Sequence, residues 1–206
     1  MRKFYEKLAN VPTLAILSFL AIIPAFLWDG IYLIAFEDYF DMPGNVILSA
    51  LIIALVICVA MNKKKEVLGL FTIVMGVYLV DCIVTAVGQI QSANETFAIE
   101  EYAQFAPIDI CFAVCNIAFA IGIILFIVAK FMMKKNKTVV INITLAFFTL
   151  SILGVVGAMV ASFISGYYTF VIEGYEFFAF LYDIGSLATL LFFVSAASHC
   201  ESISRE

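Results

Sequence analysis

The sequence predicts an all-α, polytopic integral membrane protein of six transmembrane helices, forming one domain over residues 1–206. Three observations lead there. Apolar residues make up 65% of the chain and charged residues only 13%, against about 25% charged in soluble domains. Mean hydropathy is +1.11. Six apolar stretches each come close to the ~20 residues that a spanning helix needs, and the basic residues fall between them on one side only.

The first stretch, residues 11–36, contains Pro24 and Gly30, which predict a kink or tilt. It is too long for the apolar region of a cleavable signal peptide. The second, 45–61, is the shortest and is expected to stand nearly upright in a bilayer. The third, 67–90, has Asp81 in its middle. The fourth covers 107–133 and the fifth 139–165. In the fifth, Gly154, Gly157 and Ala161 permit close approach of neighbours, so this span is the expected central helix. The sixth covers 175–198. Residues 45–88 and 116–159 align without a gap, each running from Asn through an aliphatic helix and a lysine pair into a second helix. Either a parallel hairpin repeat or the shared demands of lipid and charge placement accounts for that likeness.

Charge placement orients these spans. Arg2, Lys3 and Lys7 precede the first; Lys63, Lys64 and Lys65 join the second and third; Lys130, Lys134, Lys135 and Lys137 join the fourth and fifth; Arg205 follows the sixth. Basic residues mark the cytoplasmic side, so both termini are expected there, in a multi-pass protein of the plasma membrane. The opposite side holds Glu37, Asp38, Asp41, Glu95, Glu100, Glu101, Glu173 and Glu176, and no lysine or arginine. Asn94-Glu95-Thr96 on that side has the form of a glycosylation acceptor.

Asp29, Asp81, Asp109 and Asp183 lie within apolar stretches, where an acid costs about 2.5–3.5 kcal/mol on insertion scales and normally faces a bundle interior. All four fall in the outer half of their spans, with Asp29, Asp81 and Asp183 roughly 10–14 Å deep at the helical rise. Helical spacing adds Tyr78, Thr85 and Gly88 to the face of Asp81, Ser186 and Glu176 to that of Asp183 with Tyr182 adjacent, and Asn116 to that of Asp109. Trp28 precedes Asp29. Neighbouring carboxylates in a low dielectric cannot all carry charge without hydroxyl donors or a cation. A shared cation site is therefore one reading. Separate aspartates, each solvated near the interface or capping a helix start, are the other; Asp109, just after Pro107, fits that second reading best. Trp28, Tyr102, Phe105, Tyr167, Tyr168 and Tyr182 crowd the same side, as an ordinary aromatic belt does and as sites for organic cations also do.

Other classes find no support in the residues. No P-loop, zinc-protease helix, nucleophile elbow or dinucleotide loop is present, so no enzyme, cofactor or nucleic-acid partner is expected. The intramembrane aspartyl protease motif GxGD is missing. The five cysteines read as small packing residues, and one histidine makes no histidine-based metal site. In length, span number and cytoplasmic termini, and in the Ala21-x-x-x-Ala25 pair on its first helix, the chain resembles the substrate-binding subunits of energy-coupling-factor vitamin transporters. That resemblance implies an outward-facing pocket and a transport role; no other motif of that group is matched. The expected partners are the bilayer, a cationic small molecule or ion at Trp28, Asp29, Tyr78, Asp81, Thr85, Asp109, Tyr182, Asp183 and Ser186, and a membrane protein partner. An accessory subunit of a larger complex, whose acids meet a partner's basic residues, is the rival expectation.

Overall fold

A computed structural model describes residues 8–36, 42–129, 134–171 and 174–203. Arg2, Lys3, Lys7, Glu37, Asp38, Asp41, Lys130, Glu173 and Arg205 lie outside the described residues, so the charge readings that include them stand on sequence alone. The described residues are helical, with no strand among them: α1 Val11–Phe36, α2 Met42–Ala60, α3 Lys64–Ala98, α4 Ala106–Ala129, α5 Lys134–Ser165, α6 Tyr167–Val171 and α7 Glu176–Ile203. Five helices among the described residues are long and apolar enough to cross a membrane: Val11–Ile31, Lys64–Ala98, Ala106–Ala129, Val139–Ser165 and Glu176–Glu201. The apolar part of α2, Gly44–Ala60, is shorter.

Local chemistry sets the helix ends. Asn10 caps α1, its side-chain oxygen accepting the Thr13 N–H at 3.0 Å, which satisfies one of the orphan donors of the first turn. α1 then continues through Pro24 as one helix. α2 ends in a Schellman turn: Lys63 N–H donates to Cys58 O and Asn62 N–H to Val59 O, both at 3.0 Å. Asn62 adopts the left-handed conformation this needs, at φ 54°, which Asn tolerates better than most residues. α3 outruns its expected span at both ends and reaches Ala98. Asn94-Glu95-Thr96 is thus helical, with Thr96 buried. That placement counts against a glycosylation acceptor, which needs its Thr hydroxyl accessible on a pliable segment. Between α3 and α4 the chain winds through tight turns, with Tyr102 N–H donating to Ile99 O and Phe105 N–H to Tyr102 O.

The chain forms two compact units, Met1–Tyr78 with Phe178–Glu206, and Leu79–Phe177. In the first, α1 packs on α2, and Pro24 of α1 lies so near Gly185 of α7 that a Cβ there would stand 2.9 Å from the Pro24 Cβ. Tyr78 stacks on Phe193 with ring centroids 4.1 Å apart. Residues 192–197 of α7 are all buried. Six consecutive residues exceed one helical turn of 3.6, so every side of that segment is enclosed. In the second unit α4 packs along α5. Phe119 and Phe148 stack at 4.4 Å, and Gly122 admits the Phe148 ring where a Cβ would stand 2.5 Å from it. Gly154 similarly makes room for the Cys115 sulfur.

The expectation that the fifth span is the enclosed helix is not met. α5 leaves Leu150, Leu153, Val160, Phe163 and Ile164 exposed, and nothing lies within 4 Å of a Cβ added at Gly157. Small residues permit close approach without requiring it. Apolar side chains are exposed along α1 to α5, as expected of helices surrounded by hydrocarbon. Intrahelical bonds satisfy many of the chain's hydroxyls: Thr72, Thr144, Thr149, Ser162 and Thr189 each donate to the carbonyl four residues back, which is how a helix carries such residues without water.

These packings predict an asymmetry among the glycines. Gly122→Ala drives a methyl into a fully buried ring and should cost about 1–3 kcal/mol, lowering the melting temperature of the purified protein. Gly157→Ala meets open space within a helix and should leave stability unchanged or raise it slightly, by up to about 1 kcal/mol. Equal losses from both would show that Phe148 is not held where it stands.

Candidate functional site

The four aspartates divide between the two units, Asp29 and Asp183 in the first, Asp81 and Asp109 in the second. They differ in burial and in bonding.

In the first unit Asp29 is buried on α1. The Asn45 amide nitrogen, at the start of α2, lies 2.9 Å from its Oδ1 and 3.0 Å from its Oδ2. A donor forked across both oxygens fixes the carboxylate plane and ties α1 to α2, helices whose chain connection passes through residues 37–41. Beside it, the Trp28 ring meets Tyr182 of α7, centroids 5.6 Å apart and tilted by 31°. Asp29 and Asp183 are sequence neighbours of these two rings, so the ring pair brings both acids to one level of the unit. Asp183, Tyr182, Ser186 and Trp28 are all half-buried. Tyr78 is buried in its stack with Phe193, and its ring serves packing. The small pair of the first helix serves packing too: Ala21 is buried, and its carbonyl lies 3.4 Å from where a Cβ on Gly185 would stand.

In the second unit Asp109 is buried near the start of α4. Ser92 Oγ of α3 donates to its Oδ2 at 3.1 Å, and Tyr167 Oη of α6 donates to its Oδ1. Two turns along α4, Asn116 Nδ2 donates to Gln89 Oε1 of α3 at 3.0 Å. Asp109 and Asn116 do share a helical face, as their spacing predicted, and that face carries a polar seam to α3. The Tyr167 ring is braced edge-on by Phe105 and Tyr168, at 6.0 and 6.3 Å. Asp109 is thus a latch joining α3, α4 and α6, with two hydroxyls directed at its oxygens.

Asp81 differs from the expectation of an enclosed acid. It is exposed, as are Val80, Ile83, Val84, Val87 and Gly88, while Thr85 is half-buried. The buried stripe of this part of α3 runs through Cys82, Ala86, Ala93 and Thr96. It begins one residue after Asp81, and one residue is about 100° around a helix. The helical period is right in the sequence, but its phase follows from which small residues the neighbours pack against.

Asn45, Ser92 and Tyr167 were not anticipated as partners of the acids. Each sits near the end of its helix and is separated from its aspartate by 16, 17 and 58 residues respectively, and no local pattern links them. A further polar group is buried alone: Ser195 Oγ on α7 has no hydrogen-bond partner. Among the described residues no group of three or more His, Cys, Asp and Glu is placed to hold a metal ion. No protein-family model, curated protein or solved structure matches the chain.

The bonding pattern sorts the acids by their expected effect on stability. Asp109→Asn keeps an acceptor oxygen for one hydroxyl but sets an amide donor against the other, and should cost about 1–3 kcal/mol. Asn45→Ala removes the forked donor from a buried carboxylate and should cost about as much. Asp81→Asn should cost less than either, because the side chain is exposed and its substitution uncovers no buried partner group. Thermal denaturation of the three purified variants tests the order, which fails if Asp81→Asn is the most damaging.

Proposed function

We propose that this chain is a six-span plasma-membrane protein, with both termini cytoplasmic, that binds a cationic solute from the outer side. The binding group is Trp28, Asp29, Tyr182 and Asp183, with Ser186 one turn further along α7. The reading is supported above all by the Trp28–Tyr182 ring pair with an aspartate adjacent to each ring. Aromatic faces attract cations through the ring quadrupole, and the attraction grows when water is excluded. Carboxylates supply the formal charge that neutralises the ligand. The Asn45 amide nitrogen bonds both Asp29 oxygens, which fixes the orientation of the carboxylate that a ligand ammonium would meet. The acids expected on the outer side concentrate cations at that surface.

Six spans require α2 to cross the bilayer despite its length, and local thinning or an upright stance accommodates a short helix at modest cost. The one-sided lysines support cytoplasmic termini. A transport role, as the solute-binding part of a larger transporter, is consistent with a site reached from one side.

A second reading, an accessory subunit of a membrane complex, is favoured by the exposed position of Asp81 among exposed aliphatic side chains. In that reading a partner helix covers this face of α3 and shields the acid from lipid.

Two measurements separate these readings. Small organic amines should raise the melting temperature of the wild-type protein, following RT ln(1 + [L]/Kd), and Asp183→Asn should abolish the shift while Asp81→Asn preserves it. No amine response in the wild type rejects the solute site; a co-purifying subunit lost on Asp81→Asn supports the accessory role. For topology, single cysteines at Asn94 and Thr169, both exposed, should react with an impermeant reagent on intact cells, and cysteines at Asn136 and Ser204 should not. The reverse pattern would falsify the orientation.

A further inference from the structure

We propose that Cys111 and Cys115 of α4 form a two-coordinate site for a soft monovalent metal ion, Cu(I). Residues four apart on a helix lie on one face, one above the other, and the thiols of this pair are in hydrogen-bonding contact. Cys115 is buried and Cys111 half-buried. The pair sits where α4 packs along α5. Ser151 Oγ of α5 donates to the Cys115 carbonyl at 2.8 Å, and Gly154 of α5 leaves room for the Cys115 sulfur, which a Cβ there would strike. One sulfur is therefore held at the helix boundary, and the other, less covered, is the way to it.

The spacing decides what can join the two sulfurs. The β-carbons of residues four apart on a helix are about 5–6 Å from each other, whereas a disulfide needs them about 3.5–4.5 Å apart. A direct S–S bond would thus require α4 to distort at this point, and α4 is one continuous helix from Ala106 to Ala129. An atom placed between the sulfurs removes that demand. Thiolate sulfur is a soft donor and selects soft ions over the oxygen-seeking magnesium and calcium. Ligand number then separates the soft candidates. Structural zinc takes four ligands and iron–sulfur clusters are held by four cysteines, but among the described residues no third His, Cys, Asp or Glu joins this pair. Cu(I), a filled-shell ion, is satisfied by two sulfurs.

Charge favours the same ion. Cu(I) bonds to one sulfur as the S–H bond there breaks and its proton passes to water. The second sulfur keeps its proton and donates a lone pair. The product, one thiolate and one thiol on a single positive ion, is neutral, and nothing is oxidised or reduced. Neutrality matters because an uncompensated charge is costly in a low dielectric, and α4 is long and apolar enough to cross a membrane. Trp28, Asp29, Tyr182 and Asp183 belong to the other unit, so this inference is independent of the solute site.

The test uses the full-length protein in detergent, without oxygen, titrated with Cu(I) against the cuprous chelator bathocuproine disulfonate. C58A/C82A/C200A keeps only the pair and should bind one Cu(I) per chain, with two sulfur neighbours by copper X-ray absorption. Adding C111A should abolish that binding. The change leaves Cys115 packed on Gly154, so helix content by circular dichroism should stay the same. In the wild-type background C111A should likewise lose one equivalent, which tests the site without the triple variant. Excess zinc should not displace the copper. Full retention of copper after C111A overturns the proposal, and so does failure of the wild type to bind more Cu(I) than C111A. A third ligand in the absorption spectrum, or displacement by zinc, overturns the two-coordinate site. Loss of both free thiols of C58A/C82A/C200A in air, without added metal, would show a disulfide and overturn it too.

Discussion

A helix surrounded by hydrocarbon must satisfy its own backbone, and this one constraint organises the rest of the molecule. It accounts for the absence of strands among the described residues and for the run of apolar side chains on their outer surfaces. It also restricts what polar side chains do. A hydroxyl in such a helix either bonds back to the preceding turn, as Thr144 and Ser162 do, or reaches another helix, as Ser151 does in donating to the Cys115 carbonyl of α4 at 2.8 Å. Ser195 does neither, and no physical account of its burial follows from its surroundings.

Under that constraint an acid must obtain its donors from elsewhere in the chain. Asp29 and Asp109 do so from Asn45 and from Ser92 with Tyr167. Both arrangements join helices near their ends, where sequence leaves few other interhelical ties. Such bonds cost little once formed and a great deal when one partner is removed. Acids that looked interchangeable in the sequence therefore have distinct physical roles: one latch in each unit, a half-buried Asp183 beside an aromatic pair, and an exposed Asp81.

Helix spacing follows a second rule, the need for dispersion contact where lipid is as apolar as the side chains it competes with. Gly122, Gly154 and Gly185 meet a ring, a sulfur and a proline closely enough that no Cβ fits. At these points backbone approach, rather than apolar area, holds the helices together. The enclosed segment of α7 is rich in aromatic and small side chains, with Phe192 and Phe193 both fully buried and packed edge to face at 5.7 Å. Two large rings are followed there by Val194 and three small residues, Ser195, Ala196 and Ala197, and together they fill the space around the helix closely.

The sequence by itself determined the helical class and the approximate position of every long helix, because hydropathy is a local property that a bilayer reads directly. It also made the Asp109–Asn116 face legible, since both residues lie on one helix and period alone relates them. Tertiary structure decided the rest. The burial phase of α3 put Asp81 outside the buried stripe, and α7 rather than α5 supplied the enclosed segment. Asn45, Ser92 and Tyr167 became partners of acids between 16 and 58 residues away. The physical reason is the same in each case. Periodicity defines a helix's faces but not which face a neighbour covers, and a hydrogen bond between helices depends on their packing distance and rotation, which no run of residues along one chain encodes.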